Sequence, residues 1–218
     1  LGTRAYLLKG EERKAVDFPG ENFPGSPTGQ DLSVGQKNHI FNPGFENNPS
    51  TGTPAGCYIR LGKDRGATFF VDSGEYYKGE HSLRLNTPRE GQGVVVSFFP
   101  ATLARGRSYR FSIWARSQSR SVMENRRPRQ GIVRRLFPFL FPKISPPRFR
   151  LALGGAVSGE FVLSYTWRRF SVKVFLAAGR EETVRINPTL SLISAGTAWF
   201  DELFLTEESP DGREEESP

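Results

Sequence analysis

Two acidic residues near opposite ends of the sequence carry the chemistry to follow. Glu46 closes the run Asn42-Pro43-Gly44-Phe45-Glu46, and Asp201 stands inside Ala198-Trp199-Phe200-Asp201-Glu202-Leu203-Phe204-Leu205. Each run sets a carboxylate beside apolar residues. If the two runs lie side by side, Glu46 and Asp201 share a hard cation. Calcium is the natural candidate, because it takes carboxylate and backbone carbonyl oxygens together. The simpler alternative has Glu46 capping a turn and Asp201 exposed. Paired carboxylates in a cleft also hydrolyse glycosidic bonds, but a metal accounts for this pair better. The sequence holds no nucleophile elbow, Gly-rich phosphate loop or Ser/His/Asp arrangement, so it reads as non-catalytic.

The elements that must position these acids are strands. Eighteen Phe residues and 12% aromatic content supply apolar mass for a core. From about His39 onward, short β-prone runs alternate with Gly, Pro, Asn and Ser. The runs cover residues 67–71, 82–86, 93–99, 109–116, 149–153, 169–177, 183–193 and 198–205. None shows a helical period. About eight or nine strands in this length predict an all-β fold, a two-sheet antiparallel β-sandwich of the jelly-roll kind.

The flanks read differently. Residues 1–36 form an arm and a Gly/Pro-rich linker, with an apolar patch, Ala5-Tyr6-Leu7-Leu8, that fits either the last strand of a preceding domain or a docking arm. The sandwich takes residues 37–206. Within it, residues 118–148 interrupt the rhythm with Arg126-Arg127-Pro128-Arg129 and Arg134-Arg135-Leu136-Phe137-Pro138. Its prolines disqualify a regular element, so it is a long basic loop. It either grips a polyanion or membrane surface, or, as the simpler account, caps the sandwich or packs on a neighbouring domain.

Residues 207–218 carry five Glu and one Asp against one Arg; this acidic tail contributes −5 of a total of +7 and leaves +12 on the rest. A basic body attracts polyanions, but a solvated surface is the simpler account, and no nucleic-acid partner is expected. The single cysteine, Cys57, excludes an internal disulfide and a Cys-rich zinc site. No apolar run is long enough for a transmembrane segment. The chain opens on Leu1 rather than Met and reads as a fragment or processed piece of a longer polypeptide.

A set of motifs in order carries a family resemblance. Asn42-Pro43-Gly44-Phe45-Glu46 is followed by Pro54-Ala55-Gly56, Gly79-Glu80-His81-Ser82-Leu83-Arg84-Leu85 and Tyr109-Arg110-Phe111-Ser112-Ile113-Trp114-Ala115-Arg116. Trp167-Arg168-Arg169-Phe170 and Trp199-Phe200-Asp201-Glu202-Leu203 close the series. This order resembles the carbohydrate-binding modules of families 4, 9, 16 and 22, over residues 39–206 apart from the insert. The resemblance implies a galactose-binding-like jelly roll that binds carbohydrate as a non-catalytic accessory domain. Its partner would be a neighbouring catalytic domain, a glycan-active enzyme on the same secreted or cell-surface parent chain. It also implies a structural calcium held by the side chains of Glu46 and Asp201, with backbone carbonyls near Asn42 and from Lys78 through Ser82 completing the shell.

Strand alternation then suggests where a sugar would lie. On the 109–116 run, Tyr109, Phe111, Ile113 and Ala115 face the core, and Arg110, Ser112, Trp114 and Arg116 point outward. Trp114 is the stacking candidate, with Arg116 and Arg110 as hydrogen-bond donors and Arg150 and Lys173 on neighbouring strands of the same face. Burial of Trp114 under the insert is the competing account. Several arginines favour an acidic or sulfated glycan. Trp167 and Trp199 read as structural. Tyr58, Tyr76 and Tyr77 fall in loops, where they would line an alternative rim site. The alternative function is a structural or protein-interaction sandwich with no glycan ligand.

Overall fold

A computed structural model describes residues 5–9, 12–16, 37–48, 53–62, 66–90, 93–118 and 145–208. The expected linker, nearly all of the basic insert and most of the acidic tail lie outside the described residues. All regular structure among the described residues is β. Strands β1 (Ala5–Lys9) and β2 (Glu12–Val16) pair antiparallel with Ala5 opposite Val16.

The body contains thirteen further strands among the described residues. They are β3 (Cys57–Leu61), β4 (Thr68–Asp72), β5 (Ser82–Thr87), β6 (Val94–Phe98), β7 (Ala101–Ala104), β8 (Arg107–Ser117) and β9 (Arg148–Leu153), then β10 (Ala156–Val157), β11 (Phe161–Val162), β12 (Arg168–Leu176), β13 (Thr183–Ile186), β14 (Pro188–Leu192) and β15 (Gly196–Glu207). One sheet runs β10-β9-β14-β6-β3, with β11 also on β9; the other runs β12-β8-β15-β5-β4. All pairings are antiparallel, and strands adjacent in sequence repeatedly cross between the sheets, as from β5 to β6 and from β14 to β15. This is the two-sheet jelly roll that the sequence pattern predicts.

Alternation makes the core. Val94, Val96 and Phe98 of β6 and Leu190 and Leu192 of β14 face Leu83 and Leu85 of β5 and Phe111, Ile113 and Ala115 of β8, all within one buried cluster. Phe149 anchors one end, with its ring 5.1–5.3 Å from those of Phe161, Phe170 and Phe200. Burying each such side chain stabilises the fold by about 1.5–3 kcal/mol.

Two strand expectations change. The run 183–193 divides at Asn187: β13 pairs with β7, whereas β14 enters the first sheet. Pro188 has no N–H to give the ladder and stands first in β14, the place a strand tolerates it. Tyr58, expected in a loop, lies on β3.

Strand β15 is the centre of the second sheet. It pairs with β8 on one side from Ala198 to Glu207, with a bulge after Asp201, but with β5 only as far as Phe200. Beyond that point the open edge is taken by the start of the body. The Leu203 N–H donates to the Pro43 carbonyl at 3.0 Å, and the His39 N–H donates to the Leu205 carbonyl at 2.9 Å. The Asn38 side chain donates to the Leu203 carbonyl and accepts the Leu205 N–H. The two ends of the body therefore do lie side by side, although the first is an irregular segment rather than a strand.

Candidate functional site

The acidic bracket is built on strained backbone. Asn42, Phe45 and Glu202 are the non-glycine residues with positive φ among those described, at 53°, 56° and 45°. All three lie where the chain ends meet, and β15 is bulged between Asp201 and Phe204. The bulge turns Asp201 and Glu202 toward the turn at Gly44. A Cβ placed on Gly44 would stand 3.1 Å from Glu202 Oε1 and 3.7 Å from both Asp201 Oδ1 and Glu46 Cγ. Asp201, Glu202 and Glu46 thus all border the turn at Gly44.

Their oxygens, however, face donors. Asp201 Oδ2 accepts the N–H groups of Tyr77 and Lys78 at 2.8 and 3.1 Å, and Oδ1 accepts that of Glu202 at 2.7 Å. Glu46 Oε1 accepts the N–H groups of Glu80 and His81 at 2.8 and 3.1 Å, and Oε2 lies 2.7 Å from His81 Nδ1. Burial opposes ionisation of Glu46, but the bonds from His81 and Glu80 outweigh it and hold its carboxyl below the ordinary value. Asp201 is fully buried, and that burial pushes its carboxyl up to about 7 against the pull of its three peptide donors, with Glu202 adding to the rise.

Around these carboxylates, the side chains of Asn42 and Ser82 and the Lys78 N–H are engaged in hydrogen bonds. The Asn42 side chain closes its own loop, donating to the Asn47 and Ala55 carbonyls and accepting the Asn47 N–H, while its carbonyl accepts the Phe45 N–H. Lys78 presents an N–H, not a carbonyl, to Asp201. The Ser82 hydroxyl donates to the Glu75 carbonyl at 2.5 Å. Among the described residues no group of three or more His, Cys, Asp or Glu side chains is arranged to hold a metal ion. A calcium shell needs oxygen lone pairs converging on one point; this donor set, with peptide hydrogens aimed at both carboxylates, does not fit one.

The outer face of the second sheet holds three of the expected ligand-binding residues. The Trp114 indole lies under the Tyr77 ring, with centroids 4.0 Å apart and planes 12° from parallel. Arg116 pairs with Glu75 at 2.8 Å and Arg110 with Glu208 at 2.6 Å. Lys173, opposite Arg110 on β12, lies 3.2 Å from the same Glu208. Trp199 belongs to this face and not to the core between the sheets. It stands in register between Arg84 and Arg116, whose guanidinium carbons are 5.4 and 5.7 Å from its ring centroid, and its Nε1 donates to Asp72 Oδ2 at 2.8 Å. With Trp199 only 6% exposed, the face is filled by its own stacked side chains.

Arg150 is not there. It lies on β9 in the first sheet, whose outer face has a different shape. Tyr58, Ser97, Thr189 and Ala152 stand in register across β3, β6, β14 and β9. The adjacent row is Arg60, Val95, Ser191 and Arg150. Ser97, Val95, Thr189 and Ser191 on β6 and β14 make a floor, flanked by Tyr58 and Arg60 on the edge strand β3 and by Arg150 beside the small Ala152 on β9. The trough spans three strand spacings, about 14 Å. At one bank Tyr58 is 47% exposed, and its ring is backed by Phe99 at 5.6 Å. At the other, Glu160 bridges Arg148 and Arg150 at 2.6 Å each, and Arg148 also pairs with Glu90. The residues around Tyr58 point to a loop, which hides this face in the sequence; the alternation of 188–192, Pro-Thr-Leu-Ser-Leu, is the signal that marks its floor.

No family model and no curated protein matches this chain. Solved structures do. An arabinose-bound α-L-arabinofuranosidase, MgGH51, is similar at a TM-score of 0.52 and 12% identity, over 81% of this chain and 27% of that one. A cyclase from Fischerella sp. TAU, in complex with 4-(1H-indol-3-yl)butan-2-one, gives 0.51 and 12%, over 78% and 96%. The carbohydrate-binding module TmCBM61, in complex with β-1,4-galactotriose, gives 0.47 and 14%, over 79% and 99%, and CBM22 xylan-binding domains from Paenibacillus barcinonensis Xyn10C stand beside it. At these identities the likeness, as to the arabinofuranosidase and the cyclase, is one of fold alone.

Proposed function

We propose that this chain is a non-catalytic carbohydrate-binding module that takes an oligo- or polysaccharide in the trough across β3, β6, β14 and β9. The observation that carries the reading is the pair of adjacent rows that set Ser97, Thr189 and Ser191 between Tyr58 on β3 and Arg150 on β9. A sugar ring needs a flat aromatic face for its C–H surface and a few directional polar groups. Tyr58 offers the first; the hydroxyls of Ser97, Thr189 and Ser191 and the guanidinium of Arg150 offer the second. The Trp114 face is set aside, because a sugar would have to displace Tyr77.

The ligand is a neutral glycan ahead of an acidic one. Arg110, Arg116, Arg148 and Arg150 each already face a carboxylate, which removes most of the charge that favours a uronic or sulfated chain. The module acts as an accessory to a larger glycan-active enzyme of the extracellular space, where tethering raises local substrate concentration. Affinity electrophoresis and calorimetry against neutral and acidic oligosaccharides test the reading. Tyr58→Ala is expected to weaken neutral-glycan binding at least about tenfold, or 1.4 kcal/mol, with an unchanged melting temperature. Failure to bind any glycan class sinks the reading in favour of a structural or protein-interaction sandwich.

A further inference from the structure

The fold of this kind was expected to close its ends with calcium, and the bracket here is built from other parts. Five peptide N–H groups, those of Tyr77, Lys78, Glu80, His81 and Glu202, together with His81 Nδ1, meet Asp201 and Glu46. Two carboxylates present roughly eight lone-pair positions, and six are engaged in this way. On the first segment, the Asn42 and Pro43 carbonyls accept the N–H groups of Phe45 and Leu203. Glycine at position 79 lets the loop come this close. With φ at 76°, a Cβ there would stand 2.1 Å from Glu46 Oε1, so the loop wraps directly onto the carboxylate. Two further side chains stand at the bracket: His81, with Nδ1 2.7 Å from Glu46 Oε2, and the Lys78 ammonium, 4.0 Å from Glu202 Oε2.

We infer that this chain closes the bracket between its two ends with hydrogen-bond donors of the 77–81 loop and the His81 imidazole, and binds no divalent cation at Glu46 and Asp201. The loop then does the work of the ion. It ties the first segment through Glu46 and the last strand through Asp201, and it does so at any calcium concentration.

The test is thermal unfolding of the whole chain after exhaustive dialysis against chelator, repeated with excess calcium, alongside calorimetric titration with calcium chloride. The expected result is the same melting temperature in both buffers and no stoichiometric heat. A rise of about 5 °C or more with calcium, the size produced by a ligand at about a hundred times its Kd, overturns the inference. So does one equivalent of bound calcium. His81→Ala, at a partly exposed position that does not threaten folding, is expected to lower the melting temperature equally in chelator and in calcium. An unchanged melting temperature in that variant, or one restored by calcium, also overturns it.

Discussion

The Tyr77 ring covers the Trp114 indole, with centroids 4.0 Å apart and planes 12° from parallel. Tyr77 is held in place from behind: its own N–H is bonded to Asp201, 124 positions along the chain. The acidic bracket and the aromatic stack are therefore one assembly, in which the loop that closes the chain ends also roofs one end of the second sheet.

This relationship separates the two outer faces by experiment. Trp114→Ala should destabilise the fold by about 3 kcal/mol, the lower end for a large aromatic truncated to alanine, and leave glycan affinity unchanged. Tyr58→Ala should do the reverse. Urea unfolding and affinity electrophoresis on the two variants check the pair. Loss of binding in Trp114→Ala with full retention in Tyr58→Ala would move the site to the other face.

Glycine conformation gives a second prediction. Gly79 and Gly106 share a left-handed backbone, with φ of 76° and 75°, but a Cβ at 106 meets nothing within 4 Å, whereas at 79 it meets Glu46. Gly106→Ala should cost about 1 kcal/mol of strain alone. Gly79→Ala should cost about 2–3 kcal/mol, because the bonds to the Glu46 carboxylate are lost as well. Chemical denaturation of both variants measures the difference.

The pH dependence follows from Asp201. Burial pushes its carboxyl from the ordinary 3.8 up to about 7. Between these values the folded chain holds a proton that the unfolded chain has released. The stabilisation is fully present below about pH 4 and is lost as pH rises toward 7. Asp201→Asn should remove this component, so the stability difference between wild type and variant should be larger near pH 5 than near pH 7.5. His39, held below its ordinary value by burial and then by Lys37, works in the opposite direction in the upper part of that window. It is common to both proteins and cancels in the comparison. Unfolding free energies at the two pH values decide it, and an equal difference at both removes Asp201 as the source.

Cys57 should be inert in the native state. It is buried on β3, its Sγ lies 3.6 Å from the Pro54 carbonyl, and burial pushes the thiol up to about 12. The nucleophile is the thiolate, which is then scarce at neutral pH. A thiol-specific reagent should label it only after unfolding. Rapid labelling of folded protein would show that the β3 edge opens.

The amino-acid sequence by itself determined the longer strands of the two sheets and the inward face of β8. Tyr109, Phe111, Ile113 and Ala115 are all buried, as their alternation required, because a strand's side chains take sides with a period of two whatever the sheet around them. It also singled out Glu46 and Asp201, the two acids that the 77–81 loop binds. Only the tertiary structure decided which sheet each strand joins. The pattern around Arg150 is as regular as that around Trp114, yet crossovers send β9 and β8 to opposite layers, and no local period encodes a crossover. Nor does the sequence encode the direction of a peptide plane. The 77–81 loop turns N–H groups rather than carbonyls toward the two carboxylates, and that orientation, set by the left-handed turn at Gly79 and the contacts of Tyr77, changes the bracket from a cation cage into a hydrogen-bonded clasp.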